Sequence, residues 1–555
     1  GRRVWREGST RLVCRVLDHL HRHVCSGELA GGTRECADCG LVSDRPLDRA
    51  HHPEGQGLVS LLGDLPVCGG RSRGIPAGGR IGLWNVSVTS VVVLGAGLGG
   101  LAASALLARA GLDVTVIEKN EWFGGKSRRI EVAGQRIDTG PSLVTFPGVL
   151  ERFFDRYDDL AQDFIARDIA DLHLERLPEV GRYYYRDDVT DLPVAPDHPW
   201  AEAWQAFERD HSPLGPAITD LLTTDPLHPG VMAAAGKLLS RYGKHLSTKS
   251  YLDHRDMPEG LRDIIAIHTL NAGVAPDQTL AIFATMAAVM ADEGVFVPTG
   301  GVYEIARSLH RLAEAAGASF HLGETVTSVS KGEVLTDSAR YTPDVVVSGL
   351  DAGVLEKLMG HPRPDPDNLS CSGVAVFAAL KQPLPEGTVT HSVVLPDDPQ
   401  DLFDSVLSRQ WPKQTMSFVN YYRPGHIYPN TQATAAFLLA APATGTSATV
   451  DQTWVASELQ RSVDAMGIDA SWADLIDDYR VLDPEYFSGF GATGGALYGA
   501  GRPWYRSGPF HTPGYRSLRH RWLWRVGASV HPGGGIPAVL GGALISTSRM
   551  IGNLL

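Results

Sequence analysis

The chain has 555 residues, 43% of them hydrophobic and 20% charged, and carries a net charge of −13. These values exclude a disordered chain and point to a globular protein of about two to four domains that needs no disulfide or metal staple. The acidic balance argues against nucleic-acid binding, which requires a basic footprint.

Residues 1–85 differ in composition from the rest of the chain. They are rich in Arg, lack Lys and hold Cys14, Cys25, Cys36, Cys39 and Cys68, leaving only Cys371 beyond them. So uneven a distribution argues against a disulfide framework and for a reducing, cytosolic setting. Cys36-x-x-Cys39 with Cys25 or the His51-His52 pair could form a small zinc site. The second Cys pair of the usual spacing is missing, and the segment shows no sustained period. The stronger reading is an extension that is disordered or not part of the working protein, with no metal assigned. Its scattered arginines and missing apolar core argue against a secretory signal.

From Ser90 the pattern sharpens. Val91-Val92-Val93-Leu94 reads as a buried parallel strand, residues 101–110 as a helix ending at Gly111, and 114–117 as a second strand ending in Glu118. The charge-free window 90–108 is therefore a strand, a turn and a helix start, not a membrane span. Between strand and helix stands Gly95-Ala96-Gly97-Leu98-Gly99-Gly100, and Glu118 follows Gly95 by 23 positions. In this βαβ context the motif predicts dinucleotide binding. Gly95 permits the turn, Gly97 lets the backbone approach a pyrophosphate, and Gly100 allows close packing. The helix N-terminus attracts phosphate, and Glu118 accepts hydrogen bonds from ribose hydroxyls.

Further along, 149–290 is largely helical by pattern, with Leu150, Phe153, Phe154 and Tyr157 at helical spacing and an alternating strand pair over 183–194. Residues 299–350 return to α/β, with a helix at 302–315 and strands at 320–322, 325–329 and 344–348. Strands at 374–380, 391–395 and 434–440 precede a helix at 451–466. A strand at 522–526, the cluster Gly533-Gly534-Gly535 and a helix from Pro537 to about Ile551 close the chain. Proline suits the first helical turn, and such a helix would aim its positive end at a cofactor's far end. Two nucleotide-handling segments at opposite ends of the chain suit the elongated FAD better than NAD.

With these residues in view, the chain from Ser90 onward resembles the flavin-dependent carotenoid desaturases, bacterial phytoene desaturase and its relatives. The stretches that carry the resemblance are "VVVLGAGLGGLAA", "VIEKNEWFGGKSR", "IDTGPSLVTFPGVLERFF", "PTGGVYEIARSL", "PDVVVSGLDA", "CSGVAVFAAL", "GATGGALYG" and "VGASVHPGGGIPAVLGGA". "GGKSR", "DTGPSLVT" and "GALYG" are most similar to the carotenoid 3,4-desaturase branch. The resemblance implies an α/β fold. In it a Rossmann-like FAD-binding domain of the glutathione-reductase and amine-oxidase type carries an inserted α+β substrate domain and a helical, membrane-facing cap. It divides the chain into an FAD domain at 88–148, 295–360 and 480–555, a cap at 149–294 and a substrate domain at 361–479.

It also implies a cofactor set of Gly95, Gly97, Gly99, Gly100, Glu118, Lys119, Gly125, Lys126, Arg128, Val326, Gly527, Pro532, Gly534, Ile536 and Pro537. Ala528 stands where the wider amine-oxidase superfamily carries an acidic residue. The implied reaction removes a hydride to flavin N5 and a proton from the neighbouring carbon, and introduces a C–C double bond. The leading expectation is C-3′,4′ desaturation of a 1′-hydroxylated C40 carotenoid. Phytoene desaturation, a ketolase-like oxidation, amine oxidation and a non-catalytic prenyl-lipid escort are the alternatives. No acid–base constellation is evident, and His531 is the one weak catalytic candidate. His391 and Tyr421-Tyr422 line a tunnel or pack in the core, and Cys371 reads as a small buried hydrophobe. The expected setting is cytoplasmic, at the inner face of the cell membrane, with oxygen or a quinone as electron acceptor.

Overall fold

The computed structural model describes residues 88–362, 366, 368–445 and 449–555. The expectations for 1–85, the Cys and His zinc reading among them, lie outside these residues. The first two strands form as Ser90–Leu94 and Asp113–Glu118 and pair in parallel, Val91 with Val114 and Val93 with Val116. Val345–Ser348 joins the other side of Ser90–Leu94. Leu523–Arg525 and Ser319–Leu322 complete a five-stranded parallel sheet.

A parallel sheet needs cover on both faces, and side-chain parity supplies it here. Val91, Val93, Val114, Val116, Val345 and Val347 pack in one core with helices Leu98–Arg109, Tyr303–Ala315 and Ile536–Leu554. Val92, Leu94, Ile117 and Val346 pack against a three-stranded sheet, Val326–Ser330, Glu333–Thr336 and Arg340–Tyr341. Burial on both sides is why the strand sequences are apolar throughout instead of alternating. Among the described residues no helix is long and apolar enough to cross a membrane.

A seven-stranded mixed sheet forms the second layer system, in the order Ile476–Leu482, Ser372–Leu380, Thr434–Ala441, Ser417–Tyr422, His391–Val394, Gly181–Tyr185, Asp188–Leu192. Ser372–Leu380 is buried along its whole length. Val374, Val376 and Ala378 face one core, and Ala375, Phe377 and Ala379 face Val132 and Ile137 of the hairpin Arg128–Val132 and Gln135–Thr139. One placement corrects the sequence reading. The strand pair expected over 183–194 forms, but it belongs to this sheet, through parallel pairing of Tyr183 with Val393, and not to the helical section that surrounds it in sequence.

His391 and Tyr421 are buried sheet residues. His391 Nδ1 bonds Asn420 Oδ1 at 2.9 Å, and Tyr421 Oη accepts the Leu384 N–H at 3.1 Å. Cys371 is buried, which pushes its thiol up to about 12. Burial also pushes the imidazoles of His211 and His391 down to about 4 and that of His268 to about 3. Released into the unfolded chain, each titrates near 6.5. Between those values the unfolded state binds more protons. Stability is therefore full above about pH 6.5 and falls toward pH 4, by up to about 1.4 kcal/mol per pH unit for each histidine. Melting temperature measured across this range should drop steadily below pH 6.5; a flat profile would contradict neutral, buried imidazoles.

Candidate active site

Three strands of the parallel sheet end in turns whose glycines touch at its C-terminal edge, where α/β sheets place ligands. A Cβ built on Gly100 would lie 2.0 Å from the Gly95 carbonyl oxygen, and one on Gly99 would lie 2.8 Å from the Gly527 Cα. One on Gly349 would lie 3.2 Å from the Leu94 oxygen. Gly99 and Gly100 admit no side chain, and Gly349 is tightly packed. Gly97 differs: a Cβ there would meet nothing within 4 Å. It is the N-cap of helix Leu98–Arg109 and lends it no side-chain cap, so the first-turn N–H groups are left for a ligand. Gly124 backs the loop, its N–H donating to Ala96 O at 2.7 Å, and Gly125 packs behind Gly97.

Glu118, 6% exposed, closes the same turn. Its Oε2 accepts the Ala96 N–H at 2.8 Å. Its Oε1 accepts the Asn120 N–H at 3.0 Å and the Asn120 Nδ2 at 2.6 Å. A carboxylate offers about four acceptor sites, so Oε2 keeps capacity for a ribose hydroxyl. The Glu324 N–H donates to Glu118 O at 2.9 Å, which brings Val326, opposite Thr336, to this edge.

The basic candidates all reach one distant segment. Lys119 Nζ donates to Gly489 O at 2.5 Å, Lys126 Nζ to Leu497 O at 2.8 Å, and Arg128 approaches Tyr486 Oη at 3.4 Å while stacking over Trp122 at 4.1 Å. Burial lowers the Lys126 ammonium, and Asp351 opposes that shift.

The far end of the chain returns to the loop. The Val526 N–H donates to Ser348 O at 2.9 Å, and Gly527 sits under Gly99. Helix Ile536–Leu554, with Pro537 in its first turn and Ile536 buried, packs on Leu98–Arg109 through Val539 beside Gly99. Pro532 lies against Gly542. His531 makes no hydrogen bond among the described residues, and burial pushes it down to about 4, so it is neutral at pH 7.

Two residues near the site were not singled out from the sequence. Asp351 faces Lys126 and caps helix Ala352–Leu358. The Tyr498 ring lies where a Cβ on Gly534 or on Gly273 would stand, 2.5 and 2.6 Å away. Both occur inside the matched stretches "SGLDA" and "GALYG", which were the available signal.

The residues present fit FAD. The loop is closed at Gly95, Gly99 and Gly100, open above Gly97 where a pyrophosphate would approach, and flanked by Glu118 at one end and the last helix at the other. A family model for flavin containing amine oxidoreductases matches residues 98–382. The zeta-carotene-forming phytoene desaturase of Myxococcus xanthus is 26% identical, over 83% of this chain and 93% of that protein. The carotenoid 3,4-desaturase of Haloarcula japonica is 31% identical, over 59% and 70%. A 1-hydroxycarotenoid 3,4-desaturase of Flavobacterium is 23% identical, over 83% and 99%. Among solved structures, a putrescine oxidase variant superposes with a TM-score of 0.57 at 16% identity, covering 84% of this chain and 98% of that one. The cyclohexylamine oxidase of Brevibacterium oxydans gives 0.54 at 14%, covering 84% and 99%. At such identities the structural likeness establishes the fold alone, and that fold is the flavin amine-oxidase type. With its glycine loop intact and the family model spanning more than half of its length, the chain belongs to the flavin-containing amine oxidoreductase family, and carotenoid and phytoene desaturases are among its relatives.

Proposed function

We propose that the chain is an FAD-dependent carotenoid desaturase, an oxidoreductase acting on CH–CH groups. The carrying observation is the convergence of the Gly95 loop and the Pro537 helix around the open space over Gly97, in a chain whose relatives are desaturases over 83% of its length. Bound FAD supplies the acceptor for a hydride from a substrate carbon. This chain's residues position the cofactor and exclude water. Gly97 and the first turn of Leu98–Arg109 take the pyrophosphate, Glu118 the ribose, and Gly527 to Pro537 the far end. The Gly125, Lys126 and Arg128 loop lies beside it. No side chain is assigned as the proton acceptor, and His531 remains the sole candidate. In this reading 88–148, 295–360 and 480–555 hold the cofactor. The seven-stranded sheet of 361–479, with the Gly181–Leu192 hairpin, faces the substrate.

We assign the substrate to carotenoids with a hydroxylated end group and the bond to C-3′,4′. The motifs "GGKSR", "DTGPSLVT" and "GALYG" support this. So does a cavity of about 20 Å³, room for one hydroxyl-sized group, lined by Ser142, Asn420, Tyr422 and Thr434. Thr434 Oγ1 is buried there with no hydrogen-bond partner among the described residues, and a buried hydroxyl left unpaired favours a polar guest over a bare hydrocarbon. A C40 substrate dissolves in membranes, so the enzyme works from the cytoplasm at the inner face of the cell membrane and passes electrons to oxygen or a quinone.

Expression in hosts that accumulate either phytoene or a 1′-hydroxylated carotenoid tests both levels. New conjugation should appear in the second host alone. Product only from phytoene would shift the assignment to phytoene desaturation. A colourless, flavin-free protein, or peroxide released from amines, would refute the desaturase reading.

A further inference from the structure

Helix Pro229–Ser240, PGVMAAAGKLLS, has the composition of a buried helix, yet Leu238 is its sole buried residue. Met232 and the preceding Leu227 are each 49% exposed, and Leu246 beyond it is 38% exposed. Ala233, Ala234 and Gly236 also face outward, and a Cβ on Gly236 would meet nothing within 4 Å. Exposed apolar residues gathered in one segment mark a candidate interaction site.

Its charge is as unusual as its apolarity. The chain carries −13 overall, but residues 226–250 contain no Asp or Glu and four cations, Lys237, Arg241, Lys244 and Lys249. All four are exposed. Lys249 pairs with Asp253 at 3.1 Å. Lys237, Arg241 and Lys244 have no ion-pair partner among the described residues.

The segment is mounted firmly. Before the helix, Asp225 pairs with Arg549 of the last helix through Nε at 2.6 Å, and Gly541 of that helix packs against Leu222 O. After it, Tyr242 is buried and bonds Thr285 at 2.5 Å, and Thr285 is shared with His211 Nδ1 at 2.9 Å. The exposed face is therefore held in place at both ends, and the Asp225–Arg549 pair ties it to the helix whose first turn closes the flavin end of the site.

We propose that 227–249 is an interfacial docking segment for a membrane containing anionic lipid. Leu227, Met232 and Leu246 enter the acyl boundary, and Lys237, Arg241 and Lys244 meet headgroup phosphates. Apolar residues beside unpaired cations are the pattern of helices that lie in a membrane interface, and the local positive charge complements an anionic leaflet. A second copy of the same face is disfavoured, because it would set these cations against each other. The proposal rests on the desaturase reading only for the reason to dock, a membrane-borne substrate.

The test uses the full-length flavoprotein in vesicle sedimentation with phosphatidylcholine alone and with added phosphatidylglycerol. The wild type should partition to the anionic vesicles, less so as salt rises. The triple variant Lys237→Gln, Arg241→Gln, Lys244→Gln should lose roughly fivefold in partition per cation removed. Met232→Asp should weaken binding to every vesicle. Flavin content, and turnover of carotenoid offered in detergent micelles, should stay at wild-type level in these variants, since none touches the cofactor cradle. Equal partition of wild type to neutral and anionic vesicles would overturn the proposal, as would wild-type binding by the triple variant or a dimer in light scattering that Met232→Asp dissociates. Docking that persists in a protein with no desaturase activity in micelles would support this surface and refute the assigned reaction.

Discussion

Gly97→Ala is expected to yield a folded protein that holds flavin at least about tenfold more weakly, whereas Gly100→Ala is expected not to reach the native state. The two residues stand three apart in one loop, yet their surroundings are opposite. A Cβ at Gly100 falls 2.0 Å from a backbone oxygen, that of Gly95, at the junction of strand and helix. No side chain can swing away to relieve it, so the cost exceeds the ~1–3 kcal/mol of ordinary overpacking. A Cβ at Gly97 meets nothing in the protein, and its backbone is extended at φ −68 and ψ 172, so alanine is tolerated there. The methyl instead occupies the space through which a pyrophosphate must approach. A clash of ~1.4 kcal/mol or more corresponds to at least about a tenfold weaker hold on FAD. Flavin absorbance per protein and melting temperature, measured together, separate the two effects. Wild-type flavin occupancy in Gly97→Ala would remove the pyrophosphate from that space.

Arg129→Ala is expected to cost ~3–5 kcal/mol of stability, the usual loss when one partner of a buried ion pair is removed. Asp138 is almost wholly buried and receives Arg129 Nε at 2.7 Å. Arg129 also reaches Glu304 at 3.2 Å and the Gly300 carbonyl, and lies over the Tyr303 and Tyr428 rings. Lysine should rescue poorly, because it cannot supply the two-pronged donor. The loss should depend on pH with a definite sign. Burial already pushes the Asp138 carboxyl up, and Arg129 and the Tyr303 N–H oppose that. Without Arg129 the folded-state value rises further above the unfolded one. The folded state then holds a proton that the unfolded chain releases, and the variant weakens progressively as pH rises above about 4. Denaturant midpoints of variant and wild type should therefore diverge with increasing pH. Parallel profiles would show that Asp138 does not depend on Arg129. Asp138 also walls the cavity with Ser142 and Tyr422, so the variant should lose substrate selectivity along with stability.

The βαβ unit was legible because its information is local. An apolar β-branched run, a glycine spacing and an acidic strand end lie within about 30 residues of each other, and each maps directly onto Ser90–Leu94, the Gly95 loop and Glu118. The strands at 345–348 and 372–380 were legible for the same reason, as apolar runs that need cover on both faces. The hairpin at Gly181–Leu192 was recognisable as a strand pair, but not as a member of the substrate sheet. Its partner there, His391–Val394, lies far along the chain, and the bonds joining them are backbone bonds that leave no side-chain signature.

Lys119, Lys126 and Arg128 were placed at the cofactor by resemblance. Their hydrogen bonds to 486–497 follow from where that later segment crosses the loop. Helix Pro229–Ser240 lies within the stretch expected to form a helical cap, and its exposure follows from the absence of a covering element among the described residues. The amino-acid sequence by itself determined the strand–turn–helix cradle and the closure of Gly100 against Gly95, since these depend on neighbours a few residues apart. Tertiary structure alone decided which strands share a sheet, which charges pair across it and which apolar face is left uncovered. Each of those is set by backbone pairing and excluded volume between segments whose separation along the chain carries no record of their meeting.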